Sequence, residues 1–133
     1  MIKFVATSLL PILLSSAILS GNYGEGFVSL FNGKDLSGWK TTGNWLPQKD
    51  GSLLTKPDQK GWQRYSDYLI SEQKFSDFIL ELEHKYGPKG NSGVFFRIGN
   101  PKNPVQTGIE YQVLDSLGKA DNKMGHYDHG GMI

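Results

Sequence analysis

The chain has 133 residues, a formal net charge of +1 and no cysteine. That length holds one domain. The near balance of charge, with no run of Lys or Arg, argues against nucleic acid as a partner, and the lack of thiols excludes disulfides and cysteine catalysis. Glycine is abundant at 17 residues and aromatic side chains make up 12%; with repeated Gly/Asn/Asp/Pro clusters, this predicts many short strands joined by turns.

The N-terminus differs in kind from the rest. Met1-Ile2-Lys3 is a short basic start, and an apolar run over 4–19 follows, interrupted by Thr7, Ser8, Pro11, Ser15 and Ser16; Ser20 and Gly21 come next. This is the pattern of a secretory signal peptide over 1–20. An uncleaved membrane anchor fits less well, because the run is shorter than the roughly 20 apolar residues of a spanning helix and contains a proline. The expectation is therefore an exported protein, periplasmic or extracellular, with its domain over 21–133 and no membrane span in the mature chain. Without cysteine, no lipid anchor of the lipoprotein kind is available.

Short elements follow in order. Phe27-Val28-Ser29-Leu30-Phe31 reads as a strand, Asn32-Gly33-Lys34-Asp35 as a turn, and Leu36 and Trp39 as a return to the core. Trp45 to Gln48 and Ser52 to Thr55, separated by Asp50-Gly51, read as a hairpin. Residues 56–67 form a polar loop containing Trp62, Arg64 and Tyr65. Tyr68 to Ser71 is a strand. Over 75–86, Phe78, Leu80 and Leu82 alternate with Asp77, Glu81 and Glu83, the pattern of a half-buried strand rather than a helix. No helix is expected after the leader, and 99–107 and 117–131 are read as loops. The sum of six or seven antiparallel strands, each with one polar and one apolar face, suggests an all-β sandwich.

The stretch 91–115 carries the chemistry. It reads as two neighbouring strands, 91–98 and 108–115. Alternation puts Glu110 and Gln112 on one face and Ile109, Tyr111 and Val113 on the other; on the first strand Phe95 and Arg97 share the polar face, and Val94, Phe96 and Ile98 the apolar one. A ring, a guanidinium, a carboxylate and an amide on one sheet face are the groups that grip a sugar, the ring covering its apolar face and the polar groups bonding its hydroxyls. Each has an ordinary structural alternative: Glu110 and Gln112 as solvated strand positions, Arg97 as an ion-pair partner of Glu110. Asp115 is expected to bond loop amides, and Asn91 to serve a turn. His84 is in register with Leu80 and Leu82 and reads as a packed or edge residue rather than a catalyst. Trp39, Trp45 and Phe96 are assigned to the core, and Trp62 and Tyr65 either stack on sugar or cap the core. In Gly125-His126-Tyr127-Asp128-His129-Gly130, His126 is the preferred member for acid–base or metal chemistry, although no established metal spacing is present.

Three segments carry a resemblance: Leu30-Phe31-Asn32-Gly33-Lys34-Asp35-Leu36-Ser37-Gly38-Trp39, Asn91-Ser92-Gly93-Val94-Phe95-Phe96-Arg97, and Gly108-Ile109-Glu110-Tyr111-Gln112-Val113-Leu114-Asp115. In their order and spacing they resemble the 3-keto-disaccharide hydrolase family, also described as 3-keto-glucoside lyase or 3-keto-2-hydroxyglucal hydratase domains, over 26–133. The resemblance implies a concanavalin A-like jelly-roll β-sandwich, export from a bacterial cell, and action on an oxidised glycoside. It implies cleavage by proton abstraction at carbon 2, beside the carbon-3 ketone, with loss of the aglycone and addition of water. Glu110, Arg97 and His126 are the catalytic candidates, with Gln112, Phe95, Trp62 and Tyr65 binding substrate. A divalent metal on Glu110 and His126 is a further expectation. Members of the family continue for several more strands, so the chain is expected to be an N-terminal portion. The rival readings are a non-catalytic carbohydrate-binding module and an inactive fragment.

Overall fold

The computed structural model describes residues 3–7, 27–41, 45–55 and 68–133. Its strands, in chain order, are β1 (Lys3–Thr7), β2 (Phe27–Ser29), β3 (Trp39–Thr41), β4 (Trp45–Pro47), β5 (Leu53–Thr55), β6 (Leu69–Ser71), β7 (Leu80–Glu83), β8 (Asn91–Phe96) and β9 (Ile109–Leu114). A one-turn helix, α1 (Pro104–Thr107), and a 3-10 turn at Asp121–Lys123 are the helical pieces among the described residues. All the strand pairs are antiparallel, as the alternating sequence predicts. The chain divides into two compact units, Met1–His84 and Lys85–Ile133.

In the first unit β3 pairs with β6, β4 with β5, and β1 lies between β2 and β7. The expected Asp50-Gly51 hairpin is present, with Trp45 opposite Thr55 and Pro47 opposite Leu53. Its turn explains a buried polar residue. Ser52 is 5% exposed, yet its amide and hydroxyl both donate to Asp50 Oδ1, at 3.0 and 2.6 Å, and its carbonyl accepts from the Gln48 amide at 2.8 Å. With each polar group bonded, its burial costs little, and Leu53 beside it enters the core at 2% exposure.

The Asn32-Gly33-Lys34-Asp35 turn is cross-braced. Asn32 Oδ1 accepts from the amides of Lys34 and Asp35, while Asn32 Nδ2 and the Ser37 amide donate to Asp35 Oδ1 at 2.8 and 2.9 Å. Gly33 and Gly38 take φ of 76° and 84°, where a side chain would be strained. The turn delivers Trp39 to β3, and its indole Nε1 donates to the Leu30 carbonyl at 2.8 Å. Trp39 and Trp45 are half-buried, and among the described residues of this unit Phe31 is the buried aromatic.

Several boundaries differ from the sequence reading. The strand expected over 75–86 is confined to β7, although Leu80 and Leu82 are half-buried and Glu81 and Glu83 exposed, as alternation requires. The strand expected over 91–98 ends at Phe96 and that over 108–115 runs Ile109–Leu114. The loop at 99–107 contains α1 because Pro104 suits the first helical position, where no amide partner is needed. The polar loop 56–67 and most of the stretch 1–20, where a leader is expected, lie outside the described residues; the part of that stretch that is described, β1, is extended and paired on both edges.

In the second unit β8 and β9 pair from Asn91↔Leu114 to Phe96↔Ile109. Asp115 closes their end, as expected: its carboxylate accepts from the amides of Lys89 and Leu117, at 2.8 and 3.2 Å, and its own amide donates to the Gly90 carbonyl. Residues 130–133 run back along the far edge of β9, with Glu110 and Ile133 exchanging both amide–carbonyl bonds at 3.0 and 2.9 Å and Tyr111 opposite Met132.

Hydrogen bonds from Ser37 and then Asn32 hold the Asp35 carboxyl down at about 2. Because the folded value is depressed, its contribution to the turn is complete above the ordinary carboxylate range and is lost as pH falls toward 2. The Ser37 amide shift, followed by NMR, should therefore titrate with a midpoint near 2, and an Asp35→Ala chain should show no such transition. A midpoint near 4 would mean that the cross-brace is not formed.

Candidate functional site

On β8 and β9 the pairs Gly93↔Gln112 and Phe95↔Glu110 place Phe95, Glu110 and Gln112 on one face, since directly opposite residues project to the same side. Val94, Phe96, Ile109, Tyr111 and Val113 take the other face. Glu110 is half-buried, and its side chain lies across β8 over the bare backbone of Gly93: a Cβ there would stand 2.7 Å from both Cγ and Cδ of Glu110. Glycine in this strand is thus a close-approach position, which the sequence reading passed over.

Gln112 is 8% exposed, and among the described residues its Oε1 has no hydrogen-bond partner. The sequence reading had it open to a sugar hydroxyl; here it is covered. An unpaired buried amide oxygen costs about 1–3 kcal/mol, so this site retains an unmet demand for a donor.

The cover comes from the loop that follows β9. The Asp128 carbonyl accepts from the Gly131 amide at 2.9 Å, closing a turn whose third residue, Gly130, has φ of 83°. The Gly130 amide donates to the Gln112 carbonyl, and the Gly131 carbonyl accepts from the Gln112 amide. Two residues thus oppose one, a β-bulge with glycine in the left-handed position. A Cβ on Gly131 would run into the backbone of His126. Since Gly131 opposes Gln112, the 125–128 turn lies on the Gln112 face. His126 is brought to the site by this backbone contact; its exposed ring stacks on Tyr127 at 4.0 Å.

The loop is held by Asp128. Asp128 is 7% exposed, and its carboxylate accepts from Lys119 Nζ, from the Gly125 amide at 2.7 Å and from Ser116 Oγ at 3.4 Å. Lys119 first, then the Gly125 amide, holds its carboxyl below the ordinary range, against the opposing effect of burial. The adjacent His129 packs with the rings of Tyr86 and Tyr111, at centroid distances of 6.0 and 6.3 Å, and its amide donates to Ser116 Oγ. Asp128 and His129 therefore serve the loop, and His126 is the histidine of this loop left with an exposed ring.

Arg97 follows the last residue of β8. Its φ is 55°, in the left-handed region that is unusual for a non-glycine residue, so the strand's alternation no longer dictates its direction. Trp62 and Tyr65 lie outside the described residues. Among the described residues no group of three or more His, Asp or Glu side chains converges in a way that would hold a metal ion.

Residues 26–133 match the family described as the 3-keto-alpha-glucoside-1,2-lyase-like domain. The chain is also 33% identical, over 119 residues, to a 3-keto-disaccharide hydrolase of Bacteroides thetaiotaomicron; the match takes in 76% of this chain and 41% of that protein's length. No solved structure matches.

The Gly93 geometry sets a test. Gly93→Ala should displace the Glu110 carboxylate while leaving the β8–β9 register intact, because the colliding atoms belong to a flexible side chain. The stability cost should be on the order of 1 kcal/mol. Unchanged Glu110 side-chain NMR shifts in that variant, with cross-strand contacts kept, would refute the contact.

Proposed function

Because the chain belongs to the 3-keto-alpha-glucoside-1,2-lyase-like family, we propose that it is part of an exported carbohydrate-active enzyme that cleaves glycosides already oxidised to a ketone at carbon 3 of the sugar. The ketone acidifies the proton on carbon 2. Glu110 takes that proton, and the electron pair left behind forms an enolate whose charge rests on the carbon-3 oxygen. Collapse of the enolate restores the ketone, makes the carbon 1–carbon 2 double bond and breaks the bond from carbon 1 to the aglycone oxygen. His126 gives a proton to the departing oxygen. Water then adds across the double bond, hydroxyl to carbon 1 and proton to carbon 2, so that the net reaction is hydrolysis; release before this addition makes the same chemistry a lyase.

Phe95 offers a ring for the apolar face of the sugar, Gln112 an acceptor for a hydroxyl, and Arg97 a cation for the developing oxyanion. The leader over 1–20 supports export. The observation that carries the proposal is the half-buried Glu110 carboxylate on one sheet face with Gln112, whose buried oxygen still lacks a donor. Donation by a substrate hydroxyl would meet that demand.

The full-length protein should release aglycone from a 3-keto-glucoside and leave the unoxidised glucoside untouched. Glu110→Gln should lower turnover by roughly 10²-fold or more with the fold retained, in line with loss of a general base. Saturable sugar binding without turnover would assign a binding module instead, and full activity in Glu110→Gln would remove Glu110 from the chemistry.

A further inference from the structure

The matched domain begins at residue 26, yet a strand from outside it sits at the centre of a sheet. β1 pairs with β2 through Val5↔Ser29, Ala6↔Val28 and Thr7↔Phe27, and with β7 through Lys3↔Glu83, Phe4↔Leu82, Val5↔Glu81 and Ala6↔Leu80. β2 and β7 are not neighbours of each other; each bonds only to β1 within this sheet. With β1 withdrawn, two strand edges would face one another across two strand spacings, roughly 9.6 Å, too far apart to bond directly. Such edges are templates for strand addition. On the β7 side the apolar positions Leu80 and Leu82 are half-buried, while Val28 of β2 is 60% exposed, so the pairing on the β2 side rests on backbone hydrogen bonds.

We propose that Lys3–Thr7 is a place-holding strand, which fills in cis a slot between β2 and β7 that accepts an extended segment by antiparallel pairing on both edges. The slot is a property of 26–133 and its present occupant is a detachable one. Removal of the leader on export takes away the central strand of this sheet, so the processed domain presents an acceptor for a strand of the same length and direction. The inference does not depend on the carbohydrate chemistry. It assigns the N-terminal residues a second role besides addressing: they shield two open edges that would otherwise pair with other chains.

The test uses the full chain. Val5→Pro removes an amide from the centre of β1 and obstructs the ladder. Amide hydrogen exchange should then rise about tenfold or more in β2 and β7, while β8 and β9, in the other unit, stay within about twofold. A synthetic peptide with the sequence of residues 2–8, added in excess, should restore the protection of β2 and β7, and a scrambled peptide should not. To separate loss of pairing from general misfolding of Val5→Pro, a second form carries a protease site inserted between Gly21 and Gly26 and is nicked after folding. The N-terminal piece should then exchange with labelled 2–8 peptide. Protection of β2 and β7 that survives Val5→Pro, or that survives loss of the nicked piece, would overturn the proposal, as would failure of the peptide to bind. A concentration-dependent dimer in which the strand of one copy fills the slot of another would overturn the assignment in cis.

Discussion

Gly93 faces Gln112 across the β8–β9 ladder and Phe95 faces Glu110, and a slip of one residue in that register would send every polar side chain of the site to the opposite face. The register is fixed at both ends by polar atoms. At one end Asp115 ties the amides of Lys89 and Leu117, and its own amide is bonded to Gly90. On the far edge of β9 the 130–133 segment bonds Glu110 and Gln112 through their backbones. Glu110 and Gln112 thus have both backbone groups bonded to the 130–133 segment, which fixes their backbones before any ligand arrives.

Two buried polar groups in this unit have opposite fates. The Asp128 carboxylate is met by Lys119, Gly125 and Ser116, and a carboxylate so bonded organises the chain around it. Lys119 is 42% exposed, so water and salt screen part of the attraction, and the fixed backbone amide of Gly125 supplies the more directional share. Since the folded carboxyl is depressed, the clamp holds above the ordinary carboxylate range and loosens as pH falls below it. Gln112 Oε1, nearby on the sheet, is left without a donor. A fold that satisfies one group so fully and neglects its neighbour has stored a demand that a ligand can answer, which is the usual place to look for function.

How much of this was legible depended on the range over which a signal acts. Period-two alternation placed Glu110, Gln112 and Phe95 together because strand geometry is local, and Asn-Gly and Asp-Gly marked their turns for the same reason. The place of Arg97 was not legible: alternation assumes that the strand continues, and a left-handed residue at 97 ends it. The open position expected for Gln112 failed on a long-range effect, the return of 125–131 over β9. The consecutive glycines Gly130-Gly131, with an aspartate two residues before them, were a visible sign of that return: one supplies positive φ and the other lets His126 approach. Gly93 between polar and apolar neighbours was a similar sign for Glu110. The family, carried by motifs at fixed spacing, was legible throughout 26–133.

The distribution of carboxylates bears on which chemistry this unit can perform. An ordinary glycosidase needs two carboxyl groups flanking the bond, one of them free to donate a proton. Residues 85–133 contain Glu110, Asp115, Asp121 and Asp128. Asp115 is committed to loop amides and Asp128 to its clamp, while Asp121 lies in an exposed 3-10 turn. Recruiting Asp115 or Asp128 as a second catalytic carboxyl would dismantle the bonds that hold β9 and the 116–131 loop in place. Within this unit Glu110 is the half-buried carboxylate on the polar face of the β8–β9 ladder. A ketone beside the reacting carbon needs only that: one base, because the carbonyl has already made the proton acidic.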